Sequence, residues 1–289
     1  MARRRPPTVH GLAIVDKPAG VTSHDVVGML RRRLGERRVG HAGTLDPGAT
    51  GVLVVGVGSV TRLMRFVGDG HKRYTGEIVL GVETDTLDAD GTVIATHDTA
   101  GVTVNDARRV IAAHLVGDIE QVPPMVSALH VDGRRLHELA RAGIEVERAP
   151  RTVTVERFDV AATDEPTVLA IDVTCSGGTY IRSLAADLGR LLGAGAHLRN
   201  LRRTAVGPFT IDEAAAPDVV ELLPPLAALR GMPVVDVDAA TAALVAHGRV
   251  LPAPDGGPGP WALVTGGDAL LAVYESFHDG QAKPAVVVA

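Results

Sequence analysis

Apolar and polar positions along the chain follow two periods, one typical of strands and one typical of helices. Alternation or short apolar runs predict strands at 11–15, 52–57, 75–80, 151–160 and 168–175. Apolar residues at helical spacing predict helices at 23–34, 105–115, 133–142 and 180–192. Ser23 is the expected N-cap of the first helix. Strands interleaved with helices, without a regular strand–helix–strand period, predict an α+β fold around a mixed or antiparallel sheet.

The chain divides by composition into a long first part and a short tail. A length of 289 residues fits one large domain and a small second one. The tail, 231–289, is rich in predicted strands and contains the Pro/Gly-rich stretch 252–260. We therefore predict a domain over 1–230 and a small β-rich domain over 231–289.

Composition places the chain among globular proteins of a reducing compartment. Apolar residues make up 46% and charged residues 22%, and Cys175 is the only cysteine, which excludes an intramolecular disulfide. No stretch approaches the roughly 18 apolar residues of a membrane span. We expect a soluble, cytoplasmic protein that makes no use of a membrane.

Charge is distributed unevenly. The chain carries a net charge of −5, yet residues 1–74 hold 13 Lys and Arg against 5 Asp and Glu, a net of +8. A second basic run lies at 182–203, where five arginines face Asp187 alone. Such asymmetry predicts a surface that faces a polyanion. The tail is acidic, with 6 Asp and Glu against 2 Lys and Arg, which argues against phosphate binding there.

One loop carries candidate chemistry. Residues 39–51 hold four glycines and a proline in thirteen positions, which predicts a loop without regular structure. Pro47 restricts Asp46 to extended geometry and so presents a carboxylate on a stiff turn. From the residues alone, Asp46 is either a catalytic carboxylate or part of a turn-forming Asp-Pro pair.

The loop resembles the catalytic motif of the TruB family of tRNA pseudouridine-55 synthases, roughly GHxGxLDPxATG, which is complete from Gly40 to Gly51. Five other motifs stand in the family's order over about residues 11–210. They are GxxxxDKPxGxTSxD from Gly11 to Asp25, Lys72-Arg73-Tyr74, the acidic turn from Thr84 to Gly91, Gly178-Thr179-Tyr180-Ile181-Arg182, and Leu201-Arg202-Arg203-Thr204. The resemblance implies a pseudouridine synthase fold with a PUA-like tail, and isomerisation of uridine 55 in the T-loop of tRNA.

The resemblance also assigns roles to single residues. Asp46 takes the essential position, and three routes stay open to it: attack on the sugar, attack on the ring, or action as a base on the ribose. Tyr74 stacks on the flipped base and helps to remove the proton from ring carbon 5, while Tyr180 lines the same pocket. Arg182 pairs with the catalytic carboxylate and keeps it ionised.

Other residues take supporting roles by the same resemblance. His41 fills the space that the extruded nucleotide leaves, and Leu201 borders the bound base, with Arg202 and Arg203 beside it for phosphate. Lys17 shapes the pocket floor together with Pro18. Asp88 and Arg203 complete the set of pocket-supporting residues.

Partners and cofactors can be inferred from the same motifs. The reaction needs no cofactor and no metal, and the run from Thr86 to Gly91 fails as a calcium loop because its twelfth position is His97. The T-arm stem-loop of tRNA is the expected partner, clamped by the insertion 117–150; no protein partner is required and a monomer is expected. The family often has aromatic residues where Val126 and His137 stand here, which leaves more of the clamp to Arg134, Arg135, Arg141 and Arg148.

Three alternatives stay open. Ribosomal-RNA pseudouridine synthases share the fold but centre on a different motif around the aspartate. Guide-RNA-dependent relatives carry long basic extensions that this chain lacks. An RNA-folding chaperone would need binding alone, and a chaperone role could also accompany the enzymatic one.

Overall fold

Eighteen strands and five α-helices make up the part of the chain that the structure, a computed structural model, describes: residues 6–68, 70–127, 130–131, 134–136, 144, 146–255 and 257–288. The strands are β1 Gly11–Lys17, β2 Val39–His41, β3 Thr50–Val57, β4 Lys72–Leu80, β5 Val82–Thr84, β6 Val93–Thr96, β7 Gly117–Gln121, β8 His130–Val131, β9 Arg134–Arg135, β10 Arg151–Ala162, β11 Val168–Cys175, β12 Ala196–Val206, β13 Phe209–Thr210, β14 Val234–Asp236, β15 Leu251–Pro252, β16 Trp261–Thr265, β17 Ala269–Ser276 and β18 Gln281–Val287. The helices are α1 Ser23–Leu34, α2 Met64–Gly68, α3 Val104–His114, α4 Ile181–Leu192 and α5 Ala239–Ala246, with short 3₁₀ turns at Gly58–Leu63, Ile211–Glu213 and Pro225–Leu229.

A nine-stranded sheet forms the centre of the fold. Its order is β1-β3-β12-β4-β11-β10-β7, with β2 paired to β3 and β13 to β12. Neighbouring strands run antiparallel except β3 and β12, which are parallel where Thr50 and Gly51 pair with Arg202 and Arg203. The sheet is therefore mixed, and the predicted α+β class is confirmed.

Helix α1 begins one residue earlier than its predicted cap implies. Thr22 is the N-cap: its hydroxyl accepts from the Asp25 backbone N–H, and the Asp25 carboxylate accepts from Thr22 in return. The prediction of Ser23 as the cap is wrong, because its hydroxyl instead donates to the Leu45 carbonyl and accepts from the Leu45 N–H. Because Thr22 caps the helix, the Ser23 side chain can instead hold Leu45 in the loop before β3.

One cluster of the apolar core lies on the face of the sheet where α3 and α4 cover the central strands, and two further clusters lie on the opposite faces of β1 and β3. Leu184 and Leu188 of α4 are fully buried against Ile78 and Leu198 of the sheet. This packing fixes the first turn of α4 relative to β4 and β12. The predicted helix at 133–142 falls mostly on residues outside those that the structure describes.

The tail forms a second sheet of five strands, in the order β14-β16-β17-β18-β15. The predicted β-rich tail is therefore confirmed, and helix α5 packs beside it. Ala262, Val273 and Val286 of this sheet belong to the same buried cluster as Leu12 and Phe209 of the larger one. Because the two sheets share apolar contacts, the division of the chain at residue 230 stays a prediction. Among the described residues, no helix combines the length and the apolar character needed to cross a membrane.

Candidate active site

The loop that carries Asp46 lies between β2 and β3 and is anchored from two sides. Lys17, fully buried at the end of β1, donates to the carbonyls of Pro18 at 2.9 Å, Val21 at 2.7 Å and Pro47 at 3.1 Å. Burial lowers the pKa of the Lys17 ammonium to about 8. The ammonium thus replaces its hydration by three carbonyls, one of which belongs to the residue after Asp46.

Arg203 on β12 holds the other side of the loop. Its guanidinium is 1% exposed and donates to the carbonyls of Val52 at 2.8 Å, Thr44 at 3.3 Å and Gly43 at 3.1 Å. The expectation that Arg203 reaches phosphate is wrong, because a side chain buried among these carbonyls cannot also extend to solvent. Arg203 does lie beside the pocket, as predicted.

Glycine is required where β3 passes Arg203. Gly51 has φ +101°, and a Cβ there would lie 2.1 Å from the Arg203 carbonyl oxygen. Any side chain at this position would push β3 and β12 apart at the parallel pairing that anchors the loop.

Asp46 forms an ion pair with Arg182, the second residue of α4. The Arg182 Nε lies 3.0 Å from the Asp46 Oδ2 and 3.5 Å from the Asp88 Oδ2. The other two guanidinium nitrogens donate to the carbonyls of Thr86 and Val126, both at 2.8 Å. Arg182 is 3% exposed. Every nitrogen of the guanidinium therefore has a partner, which fixes the side chain in one geometry.

Burial and the neighbouring charges shift the pKa of Asp46 in opposite directions. Burial raises the pKa of Asp46 above its ordinary value; Arg182 opposes this effect, Asp88 adds to it, and Lys17 opposes it. The Asp46 side chain is still 41% exposed, and that exposure faces a concave pocket. A carboxylate with a raised pKa in a recess is typical of groups that take part in chemistry.

The pocket in front of Asp46 has a volume of about 290 Å³. Asp46, Tyr74, Tyr180, Arg182 and Leu201 all line it, as the sequence predicted, and so does Arg203. A smaller recess, which shares Asp46, Arg182 and Leu201 with this pocket, is lined by Asp88.

The two tyrosines differ in their surroundings. Tyr74 is buried on β4, where its hydroxyl contacts the Arg203 guanidinium, and burial raises its pKa. Tyr180 is half-buried just before α4; burial also raises its pKa, and its hydroxyl contacts Ser127. Both phenols are therefore protonated and uncharged at neutral pH, and they present neutral aromatic rings to the pocket.

His41 does not line this pocket. It ends β2, opposite Val55 on β3, and is half-buried. Burial lowers the pKa of its imidazole, and Arg203 lowers it further, so the ring is neutral. Its Nδ1 is a buried polar atom without a partner among the described residues.

Sequence reasoning missed three residues of the site. Lys72 and Ser127 line the pocket beside Tyr74 and Tyr180. Gln121, at the end of β7, is buried and hydrogen-bonded to the Tyr180 backbone. Lys72 lay within a quoted motif and could have been singled out; Gln121 and Ser127 carry no signal of their own.

The basic run 182–203 is largely neutralised in three dimensions. Arg190 pairs with Asp187, and Arg199 pairs with Glu77 at 2.7 Å and Glu165 at 2.8 Å. Arg202 pairs with Asp16 at 2.7 Å. Apart from Asp187, these carboxylates come from distant parts of the chain, so the run is not the free polyanion-facing patch that its sequence suggested. Exposed arginines are found instead in the first quarter of the chain: Arg32, Arg37, Arg38, Arg62 and Arg65.

The predicted clamp is only partly described. Arg148 donates to the Pro123 carbonyl at 3.1 Å, and Val126 is half-buried with its carbonyl on Arg182. His137 and Arg141, and the side chains of Arg134 and Arg135, lie outside what the structure describes. Within the described ranges, no group of three or more His, Cys, Asp or Glu side chains is arranged to hold a metal ion.

Known proteins match both the site and the fold. The model described as "TruB family pseudouridylate synthase (N terminal domain)" matches residues 31–181, and that described as "tRNA pseudouridylate synthase B C-terminal domain" matches 182–225. A "tRNA pseudouridine synthase B" of Aromatoleum aromaticum is 48% identical over 261 residues, covering 87% of this chain and 84% of the relative. One of Rhodococcus jostii is 49% identical over 275 residues, covering 92% and 90%.

A solved structure, "Crystal Structure of a Cbf5-Nop10-Gar1 Complex", superposes with a TM-score of 0.70 at 26% identity, covering 96% of this chain and 83% of that one. Taken with the mixed sheet and the paired aspartate in its pocket, these matches define an enzyme of the pseudouridine synthase class. The chain belongs to the TruB family of pseudouridylate synthases.

Replacing Lys17 tests the anchor of the loop. In Lys17→Met we expect the free energy of unfolding to fall by about 1–3 kcal/mol, because three buried carbonyls lose their donor. The pKa of Lys17 is lower in the folded state than in the unfolded chain, so the cost of burying its charge disappears as pH rises above about 8. The stability gap between wild type and Lys17→Met should therefore widen in that range.

Urea denaturation at several pH values measures this gap. Lys283→Met is the matched control, since Lys283 is exposed on β18. Equal stability of Lys17→Met and Lys283→Met would show that Lys17 does not anchor the loop.

Proposed function

We propose that this enzyme isomerises uridine 55 in the T-loop of tRNA to pseudouridine, with Asp46 as its essential carboxylate. The observation that carries the proposal is the Asp46–Arg182 pair, at 3.0 Å, on the wall of a pocket lined by two tyrosines and Leu201. The family supplies the reaction, and the relatives' names supply tRNA as the substrate.

The reaction balances without an external reagent. The bond from the ribose to N1 of uracil breaks, the base turns, and a new bond forms between the ribose and ring carbon 5. Carbon 5 loses a proton and N1 carries one in the product, so no oxidant, reductant or phosphate is consumed. An ionised carboxylate can attack the sugar, attack the ring, or remove a proton from the ribose, and all three routes stay open for Asp46.

The pocket suits a base that has left its helix. An extruded uracil exposes two flat faces, which aromatic side chains stack against. Tyr74, Tyr180 and Leu201 offer apolar surface beside Asp46. Because its pKa is raised, Tyr74 is better suited to stacking than to removing a proton in its resting state.

The remaining predicted residues support the site indirectly. Lys17 and Arg203 hold the loop of Asp46 by its carbonyls, and Asp88 shares Arg182 with Asp46. We propose that the accessible part of the half-buried, neutral His41 ring contacts RNA outside the pocket. Its role as a filler of the space left by the nucleotide is part of the proposal.

We propose that the enzyme binds tRNA at the T-arm stem-loop through the exposed arginines of the first quarter of the chain. We propose a monomeric, cytoplasmic enzyme that needs no protein partner, whereas the solved relative forms a Cbf5-Nop10-Gar1 complex. We also propose that the chain consists of a catalytic domain over 1–230 and a small PUA-like domain over 231–289. The insertion 117–150 is proposed to clamp the T-loop.

Tritium release tests the function directly. A T-arm stem-loop with 5-tritiated uridine should release tritium on incubation with the enzyme, because carbon 5 must lose its hydrogen. The same stem-loop with cytidine at position 55 is the control and should release none from that site. Release should persist in EDTA once the RNA is refolded. Release from the cytidine-55 RNA, or loss in EDTA that one metal restores, would contradict the proposal.

A further inference from the structure

Gln121 is a buried side chain that no catalytic motif includes, and it contacts the residue just before the catalytic helix. It is 2% exposed, at the last position of edge strand β7. Its Oε1 accepts from the Tyr180 N–H at 2.8 Å, and its Nε2 donates to the Tyr180 carbonyl at 3.1 Å. One amide thus satisfies both backbone polar groups of a single residue.

Tyr180 is the N-cap of α4, and its backbone N–H is one of the groups at the helix start that need a partner. The N–H groups at the start of a helix have no partner inside the helix, and a buried helix start must find one elsewhere. Gln121 supplies it from a different strand. The first turn of α4 is consequently fixed to β7 rather than capped locally.

The same first turn carries Arg182. Its guanidinium also donates to the Val126 carbonyl, and the Ser183 hydroxyl donates to the Val122 carbonyl at 3.2 Å. The segment 121–127 therefore contacts residues 180–183 through Gln121, Val122 and Val126, and through Ser127 on the Tyr180 hydroxyl. Within this segment, Gln121 is the residue that uses its side chain to hold the backbone ahead of Arg182.

We propose that Gln121 is a positioning residue for catalysis: by clamping the backbone of Tyr180 it sets the start of α4, and thereby places the Arg182 guanidinium against Asp46 and the Tyr180 ring in the pocket. This inference rests on the proposed role of Asp46. A displacement of catalytic groups by about 1 Å can lower a rate by about a hundredfold. A clamp on the backbone two residues before Arg182 controls such a displacement.

Gln121→Met tests the clamp because methionine keeps the length of the side chain but removes both hydrogen bonds. We expect kcat for the T-arm stem-loop to fall by about 10- to 100-fold, and KM to change by less than about threefold. Gln281→Met, the same substitution at an exposed glutamine of β18, should leave both constants unchanged. Gln121→Glu keeps an acceptor for the Tyr180 N–H and should therefore have a higher kcat than Gln121→Met. It also provides the test if the methionine variant does not fold.

A double-mutant cycle separates positioning from general support of the fold. If Gln121 acts through Arg182, adding Gln121→Met to Arg182→Lys should lower kcat by less than about threefold further, since the group it positions is already altered. Full multiplication of the two effects would overturn the proposal, as would a kcat for Gln121→Met within about twofold of wild type. The same assay tests the proposed function separately. If the wild type released no tritium, the proposed function itself would be refuted.

Discussion

Asp46→Asn should abolish turnover while RNA binding persists. We expect kcat to fall by at least about 10⁴-fold, because all three routes open to Asp46 require an ionised carboxylate and an amide is neither a nucleophile nor a base. Asparagine keeps the size of the side chain, and Arg182 keeps Asp88 at 3.5 Å as a counter-ion. The pocket should therefore stay intact, and affinity for the stem-loop should remain within about tenfold, or about 1.4 kcal/mol.

Single-turnover tritium release and filter binding measure the two quantities separately. Asp164→Asn, on an exposed turn far from the pocket in sequence, is the matched control and should behave as wild type. Substantial product from Asp46→Asn, after exclusion of deamidation back to aspartate by mass spectrometry, would remove Asp46 from its proposed role.

The strands and helices with a regular pattern were predictable. The predicted strand at 168–175 coincides with β11, and the helix at 23–34 coincides with α1. In α1 one face is buried and the other exposed, and in β11 buried residues alternate with half-buried ones, so the sequence carries the period of the structure. Loop 39–51 was predicted less well, since Val39–His41 forms β2 and Thr50 begins β3. Glycine there marks close approach of strands rather than absence of a strand.

The central strand β12 was not predicted at all, and the reason is electrostatic. Arg199, Arg202 and Arg203 interrupt its apolar pattern, which makes the segment look like a basic surface. In the fold, Arg203 is buried on loop carbonyls and the other two meet carboxylates from other strands. A single sequence does not reveal which acidic residue a fold will place beside a given arginine.

The site was predictable as far as its motifs extend. Asp46, Tyr74, Tyr180, Arg182 and Leu201 come together at one pocket from four separate segments, as the resemblance implied. Gln121 stayed hidden because its function depends on a contact between β7 and the start of α4. A glutamine in a polar strand has no periodicity or spacing that marks it as buried.

The charges around Asp46 predict opposite pH shifts for two neighbouring substitutions. The pKa of Asp46 is raised, so activity that needs its ionised form should fall as pH decreases through that pKa. Asp88 raises this pKa and Arg182 lowers it. Asp88→Asn should consequently move the acid limb of the kcat profile to lower pH, whereas Arg182→Met should move it to higher pH.

Arg182→Met should also lower kcat strongly, by at least about 10³-fold, because it removes the charged partner of Asp46 and leaves the carbonyls of Thr86 and Val126 without a donor. The pH profiles of kcat for both variants, measured by single-turnover tritium release, provide the test. Arg190→Met, on the exposed side of the same helix, is the matched control and should keep the wild-type profile. Acid limbs that move in the same direction in Asp88→Asn and Arg182→Met would contradict the assignment of the limb to Asp46, because loss of the Asp88 charge lowers the pKa of Asp46 and loss of the Arg182 charge raises it.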